Sequence, residues 1–377
     1  MSRSNSSRGG RAERRIPYFR LILLALSGAV ILTHLATRGN HALMVRLSAN
    51  FVRPAHRAMS QFYAHLPFSA AELLIAAGAI ASLAYLIYQI VMLVRKKERG
   101  RRLLRTLLTF ASAGLMIYAL FCGLWGVYYY ADDFAEKSGF DDSPVSVEQL
   151  EATTRYFADL LNEYAEMVPR NEDGVCISDK SEILARSPEV FCSTEERYPC
   201  LEGPDIAAKR IFFSRIMSYT DYTGFFFPFT AEANVNMDMP ACDFAVTVAH
   251  ELSHQRGVAK EQEANFTAIL ASLAYGDPDY CYSACMLAYI HLGNALYEAD
   301  PDAYRTIRKT LSEPVNADLA DRAAYWERVR TPVRTVSNTV YEGFLQSYGQ
   351  TLGLRSYGAC VDLLVNCYYE AALASQG

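Results

Sequence analysis

Three long apolar runs fill most of the first third of the chain, and they constrain its fold more than any other feature. They span roughly residues 18–37 (core LILLALSGAVIL), 68–94 (AELLIAAGAIASLAYLIYQIVMLV) and 106–130 (LLTFASAGLMIYALFCGLWGVYYY). At 1.5 Å per residue each is long enough for a hydrocarbon core of about 30 Å. Inside a bilayer every backbone N–H and C=O must be satisfied within the segment, so each run is expected as a transmembrane helix. A cleaved signal peptide does not suit the first run, which lacks a convincing A-x-A-like site and is followed by two more spans.

Charge divides the chain near the end of the third run. Residues 1–130 carry 17 Lys/Arg against 3 Asp/Glu, while residues 131–377 carry 19 against 38, so the net charge of −5 conceals a basic first part and an acidic second one. Basic flanks stay in the cytoplasm. The tail holds Arg3, Arg8, Arg11, Arg14, Arg15 and Arg20, and the 95–105 loop holds seven basic residues, whereas the 38–66 loop holds only Arg38, Arg46, Arg53 and Arg57. The chain therefore reads as a multi-pass protein of a bacterial plasma membrane: a disordered basic cytoplasmic tail (1–17), a membrane domain (18–130), and an extracytoplasmic domain (131–377). Trp125 and the Tyr128–Tyr130 run are expected as an aromatic belt at the outer interface. An acidic domain lacks the clustered cations that phosphate contacts need, so nucleic acid is not an expected partner. The oligomeric state is not legible.

Eight of the nine cysteines fall after residue 131: Cys176, Cys192, Cys200, Cys242, Cys281, Cys285, Cys360 and Cys367. An even number in an exported domain predicts disulfides, although eight cysteines allow 105 pairings and none is singled out. Residues 131–146 read as a linker, with Ser146 or Ser143 capping a helix over roughly 147–167. Residues 223–236 (TGFFFPFTAEANVN) read as extended structure broken at Pro228, and helices dominate from there to the end.

The chemistry centres on His250-Glu251-Leu252-Ser253-His254. Residues four apart share one helix face, so both imidazoles can reach a single ion. Glu251 stands one residue on, placed to take a proton from water polarised by the metal. The segment 241–255 has the pattern of an amphipathic helix, with Pro240 ahead of it, Asp243 in its first turn and Gly257 able to end it. The third ligand is open at this level. Gly257 falls where metzincins carry the glycine of HExxHxxGxxH, but Lys260 takes their third-ligand position, and an ammonium has no lone pair for zinc. Glu261 and Glu263 follow on the next helical segment, and His291 is the one further histidine after residue 131.

Two resemblances bear on that choice. Glu261-Gln262-Glu263-Ala264-Asn265 resembles the E-x-x-A-[D/N] ligand motif of gluzincin peptidases, which implies Glu261 as ligand, Glu263 as the alternative, and Asn265 behind them, hydrogen-bonded to a ligand histidine. HELSHQRGVAKEQEANF (250–266), together with FPFTAEANVN (227–236) and GLRSYGACVDLL (353–364), resembles a bacterial membrane-protein family designated a domain of unknown function (number 3810). That family carries HELxHQRG followed by an E-x-E-A-N-F segment and is classed with zinc peptidases on its motif. In gluzincins an extended segment ahead of the HExxH helix lines the cleft, which implies substrate contacts from Phe229, Thr230, Glu232 and Asn234; a core strand is the competing reading. An oxyanion-stabilising donor is also required, and Tyr357 is the candidate.

The expected fold is mainly α, with three N-terminal transmembrane helices followed by a mostly helical zincin-like (gluzincin) domain with a small β-sheet. The expected function is a membrane-anchored metallopeptidase with Zn2+ as cofactor, Glu251 as general base and peptide or protein of the cell envelope as substrate. The alternatives are a zinc amidase acting on envelope material, and a non-catalytic envelope sensor or assembly protein with a structural zinc.

Overall fold

The computed structural model describes residues 18–95, 99–348 and 357–375; the basic tail 1–17 lies outside the described residues. Helix dominates. Among the described residues three helices are long and apolar enough to cross a membrane: α1 (Tyr18–Thr37), α4 (Ala70–Arg95) and α5 (Arg99–Phe121), the last prolonged by a π-helical turn to Gly126. The third thus begins a full two turns before the apolar run at 106, because arginine-rich sequence is itself a good helix former. Between α1 and α4 the chain forms α2 (His41–Leu47) and α3 (Arg53–Ala64). The end of α1 meets the end of α5, where His34 lies against Gly126.

The remainder is a helical body with one small sheet. It runs through α6 (Phe134–Ser138), α7 (Val147–Ala165), α8 (Lys180–Arg186), α9 (Cys192–Arg197), β1 (Lys209–Ile211), α10 (Ser214–Tyr219), β2 (Gly224–Phe227) and β3 (Glu232–Asn236). It continues through α11 (Ala241–Gln255), α12 (Glu261–Tyr275), α13 (Pro278–Ala299), α14 (Pro301–Arg308), α15 (Glu313–Arg328), α16 (Pro332–Ser347) and α17 (Tyr357–Ser375). Ser146 caps α7 as a capping box, accepting from Gln149 N at 3.2 Å while the Gln149 side chain accepts from Ser146 N at 2.9 Å. The core lies where α11, α12, α13, α7 and α17 meet, filled by Phe157, Phe244, Phe266 and Leu292.

β3 is the central strand, parallel to β1 and antiparallel to β2. β2 and β3 form a hairpin around Pro228 and lie against α11. Their register sets Phe225 opposite Asn234 and Phe227 opposite Glu232. All five residues of β3 are buried on both faces.

The long apolar helices are fastened to this body. The Glu232 carboxylate, only 3 % exposed, accepts from Ala70 N (3.1 Å) and Ala71 N (2.8 Å), two of the otherwise unpaired first-turn amides of α4. Ser69 donates to Asn234 Oδ1 at 2.6 Å, and Thr230 donates to Glu232 Oε2 at 2.8 Å. Glu72 returns the arrangement, accepting from Phe212 N and Phe213 N. The 41–66 segment also docks: Arg53 and Arg57 bond to Glu202, and the Lys209 ammonium donates to the carbonyls of Ala64 and Leu66.

Three sequence expectations change here. All nine cysteines are free thiols. Cys242, Cys281, Cys285 and Cys360 are buried in apolar surroundings and serve as small hydrophobes. Trp125 and Tyr128 are not a lipid-facing belt; both are buried, packed with Phe226 of β2 and His56 of α3. Thr230, Glu232 and Asn234 do not line a cleft, because their polar groups are consumed in holding the start of α4; Phe229 packs on Phe227 beside them.

Candidate metal centre

α11 carries His250, Glu251 and His254 along one side, and a tight turn returns the chain at the head of α12, which begins with Glu261. Gly257 makes that turn possible. Its φ of +88° lies in the left-handed region, and the Tyr128 ring sits 3.0 Å from where a β-carbon would be. The turn brings the Val258 carbonyl to His254 Nδ1 at 2.6 Å, which fixes the ring and leaves Nε2 directed at Glu261. His250 Nε2 lies 3.3 Å from Glu261 Oε2, and His254 Nε2 lies 3.7 Å from Glu261 Oε1. One ligand atom from each of the three residues falls within 4.8 Å of the others.

Electrostatics follow from this crowding. Burial alone would lower the His254 pKa, but the Glu261 carboxylate outweighs it and raises the ring to about 9. Burial would raise Glu261, and the two imidazoles instead hold it well below the usual carboxylate range. Burial pushes Glu251 up to about 7, against the opposing pull of His250 and His254. Glu251 Oε2 is buried with no hydrogen-bond partner among the described residues.

These residues fit a metal ion. Two imidazoles and one carboxylate are the donor set of catalytic zinc sites with three protein ligands. A buried, unpartnered carboxylate oxygen next to that set would be costly unless something polar occupies the space before it.

The site opens into a cleft of about 540 Å³. One wall is β2, where Gly224 lies so close that an added β-carbon would meet Glu251 Oε1 at 2.5 Å. The second is α16, from which Tyr341 donates to Glu261 Oε1 at 2.6 Å. The third is the end of the third apolar helix, through Phe121, Trp125 and Tyr129, with Trp125 standing edge-on to His254 at 5.8 Å between ring centroids.

The structure separates the sequence candidates. Glu263 points away from the histidines and accepts from Phe134 N (3.0 Å) and Ala135 N (3.1 Å) at the start of α6. Lys260 is turned to Asp133. Asn265 makes no hydrogen bond to either histidine among the described residues, since the Val258 carbonyl already holds His254. His291 is buried on α13 outside the triad, and burial lowers its pKa to about 4. Tyr357 begins α17, but its side chain lies outside the described residues. Sequence reasoning missed Gly224, Tyr341 and the wall from the third apolar helix. Gly224 carried a faint signal as a glycine opening an aromatic run; Tyr341 carried none.

No curated protein and no solved structure matches the chain. A family model does, over residues 48–365, under the description "Protein of unknown function (DUF3810)". That span takes in the docked 41–66 segment in large part, two of the three long apolar helices, the sheet and the whole His250–Glu261 constellation, and the chain belongs to this family.

Proposed function

We propose that the protein is a membrane-bound zinc metallopeptidase that hydrolyses peptide bonds outside the cytoplasm. The observation carrying this reading is the convergence of His250, His254 and Glu261 in one cleft with Glu251, a second carboxylate whose buried Oε2 has no hydrogen-bond partner among the described residues. A bound zinc ion would supply Lewis acidity, polarising a substrate carbonyl and easing the deprotonation of water.

The chain's own residues supply the rest. Glu251, with its pKa near neutrality, takes the water proton and passes it to the leaving amine. Tyr341 fixes one oxygen of Glu261, so the other stays turned to His250. β2 is an edge strand along the cleft, and its outer backbone groups suit pairing with an extended polypeptide. The charge difference between the 95–105 and 38–66 loops supports an extracytoplasmic location for the body.

The test compares wild type with Glu251→Gln, both full-length and zinc-loaded, on a peptide library and on an envelope extract. Zinc content should match, and hydrolysis should fall by about 10²–10⁴-fold in the variant. Cleavage confined to the extract would favour the amidase reading. Equal cleavage by both proteins, with zinc retained, would rule out the mechanism.

A further inference from the structure

The cleft is lined in part by a helix long and apolar enough to cross a membrane. Its third wall is not merely near the end of α5. Phe121 belongs to the membrane-length stretch Arg99–Gly126, and its ring packs on Phe344 of α16 at 5.3 Å. One turn beyond Phe344, at the residue that caps the end of α16, the Tyr348 hydroxyl reaches Tyr118 Oη at 3.2 Å and Cys122 Sγ at 3.8 Å. Tyr118 is eight residues before Gly126, about 12 Å along a helix. The C-terminal end of α16 therefore runs down alongside the span.

The other end of α16 meets a second marker of the same level. Thr331 donates to the Tyr219 carbonyl at the end of α10. α10 follows directly on Phe212 and Phe213, whose amides are held by Glu72 in the first turn of α4. Thus α16 reaches from beside the start of one span to the flank of another. Its two sides differ. Arg334, Asn338 and Tyr341 face the cleft. Val333, Val336 and Val340 point outward, each more than half exposed. Phe212 (84 % exposed), Phe213 and Ile216 are exposed as well, and the first two are held at the start of α4, where Leu73 and Leu74 are exposed. A helix with one apolar side and one polar side, tied at its two ends to elements beside the long apolar helices, suits the plane of a membrane interface.

We propose that α16 and the Phe212–Ile216 edge lie in the interfacial layer of the bilayer, so that the cleft takes polypeptide anchored in that same leaflet close to its scissile bond. The substrate half of this inference rests on the peptidase reading; the membrane half does not.

The experiment uses the full chain in nanodiscs holding one copy each, which excludes a second copy as the occupant. A dansyl amino acid replaces Val340, or Val336 should the first variant not fold, with the exposed α14 residue Asp302 as reference position. Emission from the 340 or 336 probe should be blue-shifted and quenched by nitroxide-bearing lipids, while the 302 probe responds only to aqueous iodide. Iodide quenching at 340 and 336, with no lipid effect, overturns the membrane half. The zinc-loaded protein is then given a fluorogenic peptide library carrying a palmitoyl chain, with a spacer of about 4 or about 20 residues before the cleavable sequence. A four-residue spacer reaches about 13 Å at most, and a flexible twenty-residue one averages about 25 Å. Both libraries concentrate equally on the membrane. The short spacer should be cut about tenfold faster, as effective concentration falls with tether length. Equal rates, or faster cutting of the long spacer, overturn the substrate half. No cleavage of either library overturns the peptidase reading and the substrate half with it, while the fluorescence result still decides the membrane half.

Discussion

The Tyr341 phenol donates a 2.6 Å hydrogen bond to Glu261 Oε1 across 80 residues of sequence. This contact ties α16 to the head of α12 and orients the carboxylate between the two histidines. Tyr341→Phe should weaken zinc affinity by about 10–100-fold, the usual cost of losing a partner behind a ligand. The fold should survive, because the ring keeps its contacts with Tyr222 and Phe344. Chelator competition measures the affinity, and an unchanged value would remove Tyr341 from the site.

His250→Ala, His254→Ala and Glu261→Ala should each lose most bound zinc, read by elemental analysis of the purified protein. Glu263→Ala should behave differently. It leaves two buried amides at the start of α6 without their acceptor, so stability should drop by about 2 kcal/mol while zinc stays. Zinc lost from Glu263→Ala and kept in Glu261→Ala would reverse the ligand assignment.

Gly224→Ala tests the wall opposite the histidines. A β-carbon there would lie 2.5 Å from Glu251 Oε1 and 2.7 Å from its Cγ, so the carboxylate must move. Displacement of a reacting group by about 1 Å costs on the order of 10²-fold in rate. Hydrolysis should fall by about that factor with zinc content unchanged. Full activity in Gly224→Ala would show that Glu251 acts from another position.

Zinc binding should release protons. In the metal-free protein the His254 pKa is raised to about 9, so the ring is protonated at pH 7, and a metal needs its Nε2 lone pair. Affinity should rise about tenfold per pH unit up to about pH 9. Calorimetry at pH 7 in two buffers of different ionisation enthalpy should report about one proton released per zinc. The stability linkage of the metal-free protein has the matching sign. The raised His254 contributes fully below about pH 6.5 and loses its contribution as pH rises through about 9. The depressed Glu261 contributes above about 4.5 and loses its contribution as pH falls. Zinc uptake with no proton release at pH 7 would contradict the His254–Glu261 arrangement.

The readable parts of this molecule were the local ones. Apolar length marks a membrane helix whatever surrounds it, so α1, α4 and α5 could be read from composition. The nearness of His250, His254 and Glu261 needs only one helix face, a glycine turn and the next helix start, all within twelve residues. The misreadings share another cause. Glu232 and Asn234 sit in a strand buried on both faces, where alternation carries no information about which side meets a cleft. Trp125 has the composition of an interfacial anchor, and only tertiary packing turns it toward His254. Tyr341 stands on a helix whose sequence resembles no motif, and its partner lies 80 residues away.

The grip of Glu232 on the first amides of α4 has a mechanical consequence. A membrane helix ordinarily absorbs a change in bilayer thickness by tilting. Here the top of α4 is pinned to the central strand, and that strand is paired along its length with β2, the strand pressed against Glu251. A tilt of α4 would therefore pull on β3 through these two hydrogen bonds, and through β3 on the strand whose Gly224 lies against the Glu251 side chain.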